Sequence, residues 1–505
     1  SRRPSGLRTR VSCNSLAHMP DMMDIVQIKH EVLKTTAKHA FAGDLYESFD
    51  AIPFEIIQGI RPNFRCCVYR EREIVRQRVR MAMGKLPHDV LYTDADASQV
   101  VHVIPCACEG CPITKITVTQ NCQSCLAKKC AKACPFGAIT NTPRGAVIDQ
   151  DKCRKCGKCV AACPYNAIVE IERPCKKSCP VKAISMDEND IATIDPKKCI
   201  NCGACVVGCP FGAISDVSMM TSVIDALRSD GQEVVAMVAP AIEGQFGKAT
   251  LPQIKEAIRQ LGFKDVYEVA LGADMVALSE AEELLERKAE GQPMTSSCCP
   301  AFVSLVRKHF PALLPFVSTT VSPMVAAERY IRSKRPEAVT VFIGPCIAKK
   351  NEVMSQYIQE LEYVLTFEEL YAMLCAKGIE AEAIAVPDTG DDATRYGKGF
   401  ALAGGVTAAV QRVIEEKGVD VSLSVAKCSG ADECRKALML LKAGKLPDDF
   451  VEGMACAGGC LAGPATLYEL QKSKKVFEAR MDAAPDNIRD NVAEKGCAAD
   501  VHRHV

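Results

Sequence analysis

The chain has 505 residues, and its 62 lysines and arginines equal its 62 aspartates and glutamates in number. This balance favours neither nucleic acid nor an acidic membrane surface as a partner, and no stretch approaches the ~20 uninterrupted apolar residues of a membrane span. The 29 cysteines are bunched in Cys-x-x-Cys runs and no signal peptide is visible, so metal ligation in a reducing compartment is favoured over disulfides.

The N-terminal part of the chain carries two different signals. Residues 1–19 are rich in Arg and Ser and contain no acid, which predicts a disordered terminus or the remnant of a leader. Residues 20–100 are predicted to form a helical region, because apolar residues recur at helical spacing from Ile25 to Leu33 and residues 71–83 form a basic, helix-prone run.

Residues 101–216 carry a repeated cysteine pattern that predicts a polyferredoxin-like domain. Two copies have the ferredoxin spacing Cys-x2-Cys-x2-Cys-x3-Cys-Pro, one has a longer central loop, and a half copy holds only the last two cysteines. The copies are Cys153, Cys156, Cys159 and Cys163; Cys199, Cys202, Cys205 and Cys209; Cys122, Cys125, Cys130 and Cys134; and Cys175 and Cys179. In this motif three thiolates bind one 4Fe-4S cubane and the fourth binds the other cluster of a pair. Zinc is the structural alternative, but the Cys-Pro endings and the Ala-Ile pair after each copy favour iron–sulfur clusters.

The spacing is compatible with two pairings of these cysteines. In one, the copy that starts at Cys153 takes Cys209 and the copy that starts at Cys199 takes Cys163. In a nested alternative, the copy at Cys199 takes Cys179 and the copy at Cys153 again takes Cys209. The earliest copy indicates a third cluster, and a fourth has three upstream candidate ligands, so three to four clusters are expected. These candidates are Cys106, Cys108 and Cys111. With no haem-attachment, Rossmann or P-loop signature, the expected role is one-electron transfer.

Residues 217–505 alternate between strand and helix patterns. Strands are predicted at residues 233–239, 266–271 and 339–343, and helices at residues 254–261 and 275–288. The alternation predicts an α/β domain with parallel sheets, preceded by the α+β ferredoxin-like domain and the helical region. Loops at the carboxyl ends of parallel strands are where ligands bind.

Three cysteine motifs lie in loops of this domain. They are TSSCCPAF at residues 295–302, GPCIAKKNE at residues 344–352 and EGMACAGGC at residues 452–460. A fold can bring four of their cysteines to one point: Cys299, Cys346, Cys456 and Cys460. Four thiolates suit an iron–sulfur cubane or a zinc ion. The additional Cys298 and the pair Lys349-Lys350 are not needed for such a site, which indicates chemistry beyond structural metal binding.

In order and content these motifs closely resemble the signatures of the iron-iron (FeFe) hydrogenases of the monomeric, ferredoxin-dependent type, in a less-studied branch. The resemblance covers about residues 100–505. It implies two parallel-sheet lobes that close over an H-cluster, in which a 4Fe-4S cubane is bridged by a cysteine sulfur to a di-iron centre bearing CO, cyanide and a dithiolate amine. The motif match assigns the cubane to the four cysteines above, with Cys460 as the bridge.

The resemblance also assigns contacts to the di-iron centre. Lys349 matches the lysine that hydrogen-bonds one cyanide, and Pro240 and Ala241 match the segment around the other. Met454 matches a methionine packed on the di-iron unit, and Phe400 matches a shielding aromatic. The plainer interpretations are a surface lysine for Lys349 and ordinary core packing for Met454 and Phe400.

A proton path is implied in the same way. Cys298 matches the thiol that hands protons to the bridging amine, and Glu280 and Glu283, one helical turn apart, match two relay carboxylates. Either Ser318 or Thr319 is expected between the carboxylates, with Arg287 near the entrance. A solvated helix face is the alternative interpretation of the two glutamates. His502 and His504 are predicted to belong to a surface tail.

The resemblance implies a ferredoxin hydrogenase that reversibly combines two protons and two electrons into H2. Soluble ferredoxin is the expected electron partner, and maturation proteins are expected to insert the di-iron cofactor. The expected location is the cytoplasm of an anaerobe, or a hydrogenosome or plastid. The alternatives are a hydrogen sensor on the same fold and a non-catalytic iron–sulfur assembly protein. The presence of Cys298, Lys349 and Met454 argues against the assembly protein.

Overall fold

The computed structural model describes residues 23–87, 99–111, 116–355, 362–387, 392–497 and 500–503. The predicted leader remnant at residues 1–19 and His504 lie outside these described residues. No helix within them is long and apolar enough to cross a lipid bilayer.

The described residues up to 87 are helical. The helices are α1 (Ile25–Ala42), α2 (Leu45–Ser48), α3 (Ile52–Ile56) and α4 (Val68–Ala82). α1 begins at a capping box, because the Asp24 carboxylate accepts the Gln27 N–H at 2.8 Å and the Gln27 side chain accepts the Asp24 N–H at 2.8 Å. Its apolar face, with Val32 and Leu33, packs into the same buried core as the strands of the C-terminal part. The helical region is therefore not a separate core.

The cysteine-rich region consists of short helices and short antiparallel strand pairs. Its elements are β1 (Val101–Val103), β2 (Ile116–Val118), α5 (Lys129–Lys132), β3 (Ile139–Thr142), β4 (Gly145–Ile148), α6 (Lys158–Ala162), β5 (Ile168–Glu170), α7 (Pro174–Ser178), β6 (Ile184–Met186), β7 (Ala192–Ile194), α8 (Ala204–Gly208) and β8 (Ile214–Asp216). The pairs are β1 with β8, β2 with β5, β3 with β4, and β6 with β7. In each cysteine copy the isoleucine of the Ala-Ile pair begins a strand. Each short helix therefore lies between cysteines and leads into a strand that anchors it.

The C-terminal part is α/β with parallel sheets, as the sequence predicted. Its elements are α9 (Met220–Arg228), β9 (Val234–Val238), α10 (Leu251–Gln260), β10 (Asp265–Glu268), α11 (Val269–Ala289), β11 (Met294–Thr295), α12 (Pro300–His309), α13 (Pro323–Lys334), β12 (Val339–Gly344), α14 (Ala348–Met354), β13 (Tyr363–Thr366), α15 (Phe367–Lys377), α16 (Arg395–Gly399), α17 (Gly405–Glu416), β14 (Val425–Ser429), α18 (Ala431–Lys442), β15 (Phe450–Met454), α19 (Leu470–Ala483) and α20 (Ile488–Glu494). One sheet has the order β10-β9-β12-β13 and the other β11-β15-β14, with every pairing parallel. Every residue of β9, β12 and β15 is buried, which is typical of central parallel strands.

One predicted boundary is wrong. The strand predicted at residues 266–271 ends at Glu268, and α11 begins at Val269. A short apolar run fits a buried strand or a buried helix equally well. Here α11 packs tightly on α13, since a Cβ at Gly272 would collide with the Pro323 carbonyl and the Ala327 backbone. The packing of α11 on α13 therefore favours the helical conformation for residues 269–271.

Candidate active site

The four cysteines expected at the catalytic centre all lie where a parallel strand or its loop ends. Cys299 follows β11 and caps α12, Cys346 follows β12, and Cys456 and Cys460 follow β15. β12 belongs to the four-stranded sheet, whereas β11 and β15 belong to the three-stranded sheet. The loops meet, since the Ala465 N–H donates to the Pro345 carbonyl at 3.1 Å. The site is thus built between the carboxyl ends of two sheets.

The thiols influence one another electrostatically. Burial raises the pKa of the Cys456 thiol well above its ordinary value, and the nearby thiols of Cys346 and Cys299 add to the rise. Burial likewise raises the pKa of Cys346 to about 11 and that of Cys460 to about 12, and the Lys349 ammonium opposes both shifts. An isolated thiolate is therefore disfavoured here, and a cationic metal centre would supply the charge that makes ligation favourable.

The residues fit a four-thiolate cluster. All four side chains remain partly accessible, and the surrounding protein desolvates those of Cys346, Cys456 and Cys460. Within the described ranges, no three His, Cys, Asp or Glu side chains close around a single metal ion. The donor set, four soft thiolates and no carboxylate or imidazole, is the one that iron–sulfur cubanes use.

Lys349 is a buried cation at this centre. Its ammonium donates to the Ser322 hydroxyl at 2.8 Å and to the Glu352 carboxylate at 2.6 Å. It lies close enough to Cys346 and Cys460 to oppose the rise that burial causes in the pKa of both thiols. The surface-lysine interpretation is therefore wrong for Lys349.

The remaining residues matched to the di-iron centre also lie around these loops, where Ala241, Met454 and Phe400 are buried and Pro240 is half-buried. Pro240 and Ala241 form a turn directly after β9, next to the Cys346 loop, because the Ala239 N–H donates to the Ile343 carbonyl at 2.9 Å. Met454 ends β15 two residues before Cys456. Phe400 precedes Ala401, whose carbonyl accepts the Leu461 N–H at 3.3 Å. The fold brings all of these segments to one place.

Cys298 adjoins a fully buried carboxyl group. Burial raises the pKa of the Cys298 thiol well above its ordinary value, and Glu280 is the nearby charge that adds most. Burial also raises the pKa of Glu280 to about 7, and the Ser297 N–H, which donates at 3.3 Å, opposes that shift. The second oxygen of Glu280, Oε2, is buried and has no hydrogen-bond partner among the described residues. Glu280 therefore keeps an open oxygen inside the protein.

Hydroxyl groups join Glu280 to Glu283. Thr320 Oγ1 donates to Glu280 Oε1 at 3.3 Å and lies 2.9 Å from Ser318 Oγ. Ser318 Oγ donates to Glu283 Oε2 at 2.8 Å. The predicted serine therefore lies in the connection, but a second hydroxyl, that of Thr320, is needed to complete it.

The connection continues from Glu283 to the surface. Arg287 donates to Glu283 Oε1 at 2.6 Å. Thr319 Oγ1 donates to Glu283 Oε2 at 3.2 Å and also lies 3.2 Å from His502 Nδ1. The exposed His502 ring contacts Ser279 Oγ at 3.0 Å through Nε2. The solvated-face interpretation is wrong for Glu280, and the segment with His502 is bonded to α11 instead of forming a free tail.

Sequence reasoning missed three members of this network: Ser297, Thr320 and His502. The hydroxyl of Ser297 lies 2.9 Å from Thr320 Oγ1 and donates to the Thr320 carbonyl at 2.8 Å. The only available signal was adjacency, since Ser297 precedes Cys298 and Thr320 follows the predicted Thr319. His502 had no signal, because an isolated bridge between Thr320 and His502 brings it back from the end of the chain.

Two sets of four thiols lie around the same small buried cluster in the cysteine-rich region. The first set is Cys122, Cys125, Cys130 and Cys163, and the second set is Cys134, Cys153, Cys156 and Cys159. All four thiols of the second set line one small cavity. In the first set, burial raises the pKa of Cys130, and the thiols of Cys163 and Cys125 add to the rise. The two copies therefore exchange their last cysteines.

The third set is Cys179, Cys199, Cys202 and Cys205. Burial raises the pKa of Cys202 to about 12, and the thiols of Cys199 and Cys179 add to it. The structure thus places Cys179 beside the copy at Cys199, as in the nested pairing. The copy at Cys153 is not brought to Cys209, because Cys153 packs with Cys134 and Cys209 packs in another cluster. Each of the four Cys-Pro ends follows the preceding cysteine by four residues. The spacing therefore could not predict which copy each end joins.

The third set adjoins the four catalytic thiols. Cys202 and Cys299 pack against the same buried cluster. A Cβ at Gly203, whose φ is +73°, would lie 2.8 Å from Ile347 and 2.9 Å from Pro464. This close approach, which requires glycine, brings the third set against the loop of Cys346.

Three parts of the chain match models of known families. Residues 232–464 match the iron only hydrogenase large subunit, C-terminal domain. Residues 146–169 match a 4Fe-4S binding domain, and residues 169–220 match the LdpA Fe-S cluster-binding domain. The solved structure of an FeFe hydrogenase from Chlamydomonas reinhardtii aligns with 55% of this chain and 93% of that chain, at 23% identity and a TM-score of 0.48.

Curated relatives are of two kinds. The chain is 29% identical over 303 residues to the periplasmic Fe hydrogenase large subunit of Nitratidesulfovibrio vulgaris, covering 49% of this chain and 71% of that protein. It is 28% identical over 304 residues to iron hydrogenase 1 of Clostridium pasteurianum, covering 49% of this chain and 52% of that protein, so it spans about half of its length. It is 25% identical over 295 residues to a cytosolic Fe-S cluster assembly factor of Danio rerio, covering 46% and 71%.

Proposed function

We propose that the chain is an FeFe hydrogenase that reversibly combines two protons and two electrons into H2, on the premise that residues 232–464 match the iron only hydrogenase large subunit, C-terminal domain. The observation that carries the proposal is the buried carboxyl of Glu280. It lies between Cys298 and a run of hydroxyl groups that reaches Glu283 near the surface. A purely structural cluster requires no such path, whereas hydrogen formation requires protons at a buried metal.

The H-cluster would supply the redox chemistry, through a cubane joined to a di-iron unit bearing CO, cyanide and a dithiolate amine. Its cubane would be held by the four thiols at the ends of the two sheets, with Cys460 as the bridge. The Lys349 ammonium suits an anionic cyanide, since a charge-assisted hydrogen bond is stronger than a neutral one. The Pro240–Ala241 turn, Met454 and Phe400 would enclose the remaining sides and exclude water.

The proton path follows from the protonation states of its groups. Because burial raises the pKa of Cys298 well above its ordinary value, its thiol stays protonated and can donate. Because the pKa of Glu280 is raised to about 7, this carboxyl can both accept and release a proton near neutral pH. Thr320 and Ser318 would carry the proton between Glu280 and Glu283, and Arg287 holds Glu283 in position.

The electron path would run from the first two thiol sets through the third set to the catalytic thiols. Around the first two sets the surface is basic and partly apolar. Its exposed residues include Lys128, Lys129, Lys132, Arg144, Lys155 and Lys158, and Leu126 is 95% exposed. This surface suits an acidic soluble electron carrier, and we assign that role to ferredoxin.

The test is infrared spectroscopy on protein that has been matured anaerobically with its di-iron cofactor. Bound CO and cyanide bands that shift under H2, together with H2 evolution from reduced ferredoxin, are the expected result. Absence of these bands in protein with intact iron–sulfur clusters would contradict the proposal and favour an assembly factor like the Danio rerio relative.

Cys298→Ala is the matched variant for this test. Its expected result is unchanged CO and cyanide bands with most turnover lost, since the thiol would relay protons without binding metal. Unchanged turnover in Cys298→Ala would contradict the proton role while leaving the cofactor assignment intact.

A further inference from the structure

Four Cys-x-x-Cys loops share an uncommon backbone conformation. In each loop the second intervening residue has a positive φ: 46° at Ser124, 55° at Lys155, 52° at Asn201 and 52° at Gly110. Three of these residues are not glycine, so the left-handed conformation is imposed on them at a cost. These three loops belong to the first, second and third thiol sets. The fourth loop, Cys108 to Cys111, has the same shape but belongs to none of those sets.

Four short helices repeat a second feature. α5, α6, α7 and α8 each carry a cysteine at their second residue, and another cysteine follows four residues later. In α5, α6 and α8 the helix cysteine continues a Cys-x-x-Cys loop that lies immediately upstream. α7, with Cys175, has no such loop before it. The molecule therefore contains one loop without a helix and one helix without a loop.

The fold brings this loop and this helix together. β1 pairs with β8, and the Ile104 N–H donates to the Ala213 carbonyl at 2.7 Å, so the chain after β1 runs beside Cys209. Cys108 and Cys209 pack in one small cluster with Ala213. Both also pack in a larger cluster that contains the buried Cys175.

The helices place Cys175 and Cys209 side by side. α7 packs directly on α8, since a Cβ at Gly208 would collide with the Ser178 side chain. The electrostatics agree with this arrangement. Burial raises the pKa of Cys175, and the Cys209 thiol adds the next largest contribution. Burial raises the pKa of Cys111, followed by the thiols of Cys209 and Cys108.

We propose that Cys108, Cys111, Cys175 and Cys209 ligate a further 4Fe-4S cluster, the fourth of the accessory clusters. The assignment repeats the exchange seen in the first two sets. In the first two sets, Cys134 and Cys163 each join the set of the neighbouring helix. In the third and fourth sets, Cys179 and Cys209 do the same. Every cluster then takes one left-handed Cys-x-x-Cys loop, one helix cysteine and one cysteine from the neighbouring helix.

Cys106 is left out of this set although it lies in the same turn. It packs in the small cluster with Cys108 and Cys209, but it is absent from the larger cluster that contains Cys175. Burial raises its pKa to about 12, and the charged groups that act on it are Glu73, Arg70 and Arg78 of α4. Cys106 is therefore a matched control, a partly buried thiol two residues from a ligand.

The experiment measures iron, sulfide and zinc in full-length protein prepared anaerobically without the di-iron cofactor, so its outcome does not depend on hydrogen chemistry. Cys111→Ala and Cys108→Ala are each expected to lose about four irons per chain, the content of one cubane, whereas Cys106→Ala loses none. Electron paramagnetic resonance of the reduced proteins is expected to lose the same component in both variants. Cys175→Ser should lose that component too.

Cys111→Asp separates ligand loss from misfolding. Cys111 is only partly buried, and a carboxylate keeps a donor at this position, so the variant is expected to retain the cluster with a changed spectrum. Full iron in both Cys111→Ala and Cys108→Ala, iron loss in Cys106→Ala, or one zinc per chain would overturn the assignment. An unchanged spectrum in Cys111→Asp would overturn it as well.

Discussion

The iron–sulfur region, residues 101–216, and the proposed catalytic part, residues 217–505, assemble their thiols in different ways. In the first three sets of the iron–sulfur region, three thiols come from one short run and only the last comes from a neighbouring helix. In the catalytic part, the thiols of Cys299, Cys346 and Cys456 come from loops of two different sheets. A local run can form a site with little help from the rest of the fold, whereas the catalytic site exists only when both sheets are formed. We therefore expect single changes to have separable effects in the first region and concerted effects in the second.

Removing a catalytic thiol gives the largest expected effect. Cys346→Ala should abolish H2 turnover and the CO and cyanide bands, because the thiol that β12 provides has no substitute nearby. Cys163→Ala, in the first set, should remove one accessory cluster and slow turnover while the infrared bands stay. Loss of the infrared bands in Cys163→Ala would contradict the proposed independence of the two regions.

Two buried carboxyl groups on α11, those of Glu280 and Asp274, allow a comparison of variants inside and outside the proposed proton path. Burial raises the pKa of both Glu280 and Asp274 to about 7, but Asp274 is bonded to the Thr394 hydroxyl at 2.6 Å and to Asn491 at 3.3 Å. Glu280→Gln should lower turnover by roughly 10²-fold or more, the usual contribution of a proton-transfer group. Asp274→Asn should leave turnover nearly unchanged, and equal losses in both would refute a relay through Glu280.

The same carboxyls give a pH dependence of stability. A raised carboxyl pKa means that the folded protein binds more protons, so stability falls as pH rises from about 4.5 to about 7. For Glu280 the loss amounts to roughly 3 kcal/mol, from about 1.4 kcal/mol for each pKa unit. Unfolding followed across this pH range should show a shallower slope in Glu280→Gln than in the unsubstituted protein. An equal slope would contradict the buried, protonated state of Glu280.

Lys350 links the two regions and offers the next effect. Its fully buried ammonium donates at 2.7 Å to Asp216, which ends β8, and at 2.7 Å to Glu369 of α15. Lys350→Met leaves two buried carboxylates without this partner and should destabilise the junction by about 3–5 kcal/mol. Hydrogen exchange should report the change at β8. Lys398→Met is the control, since its 2.7 Å bond to Glu243 lies within the catalytic part, and its effect should not reach β8.

His502 gives the smallest expected effect. It is exposed, and its ring contacts the relay through the Thr319 hydroxyl, so His502→Ala should lower turnover a few-fold at most and leave the infrared bands unchanged. Glu494→Ala, at another exposed residue near the C-terminus, serves as the control. A loss of turnover as large as that of Glu280→Gln would contradict this and show that His502 is required for proton transfer.

The sequence by itself determined which residues are candidates for the chemistry. Spacing is a local property, so Cys-x-x-Cys runs, the Cys-Pro ends and the three catalytic motifs could be identified without the fold. The burial of the strands could be predicted as well, because Val339 to Ile343 is apolar except for Thr340. The carboxyl-end placement of Cys346 follows directly from that strand.

Only the tertiary structure decided which of these residues meet. The partner of the copy at Cys153 is Cys134 and not Cys209, because the packing of neighbouring helices selects among equally spaced cysteines. Ser297 and Thr320 complete the hydroxyl connection because the loop after β11 lies against the chain that enters α13. His502 reaches the relay from the far end of the chain through a single bridge to Thr320. Contacts between residues distant in sequence leave no periodicity or spacing in the chain, and burial, which raises the pKa of Glu280 to about 7, exists only once the surrounding elements have packed.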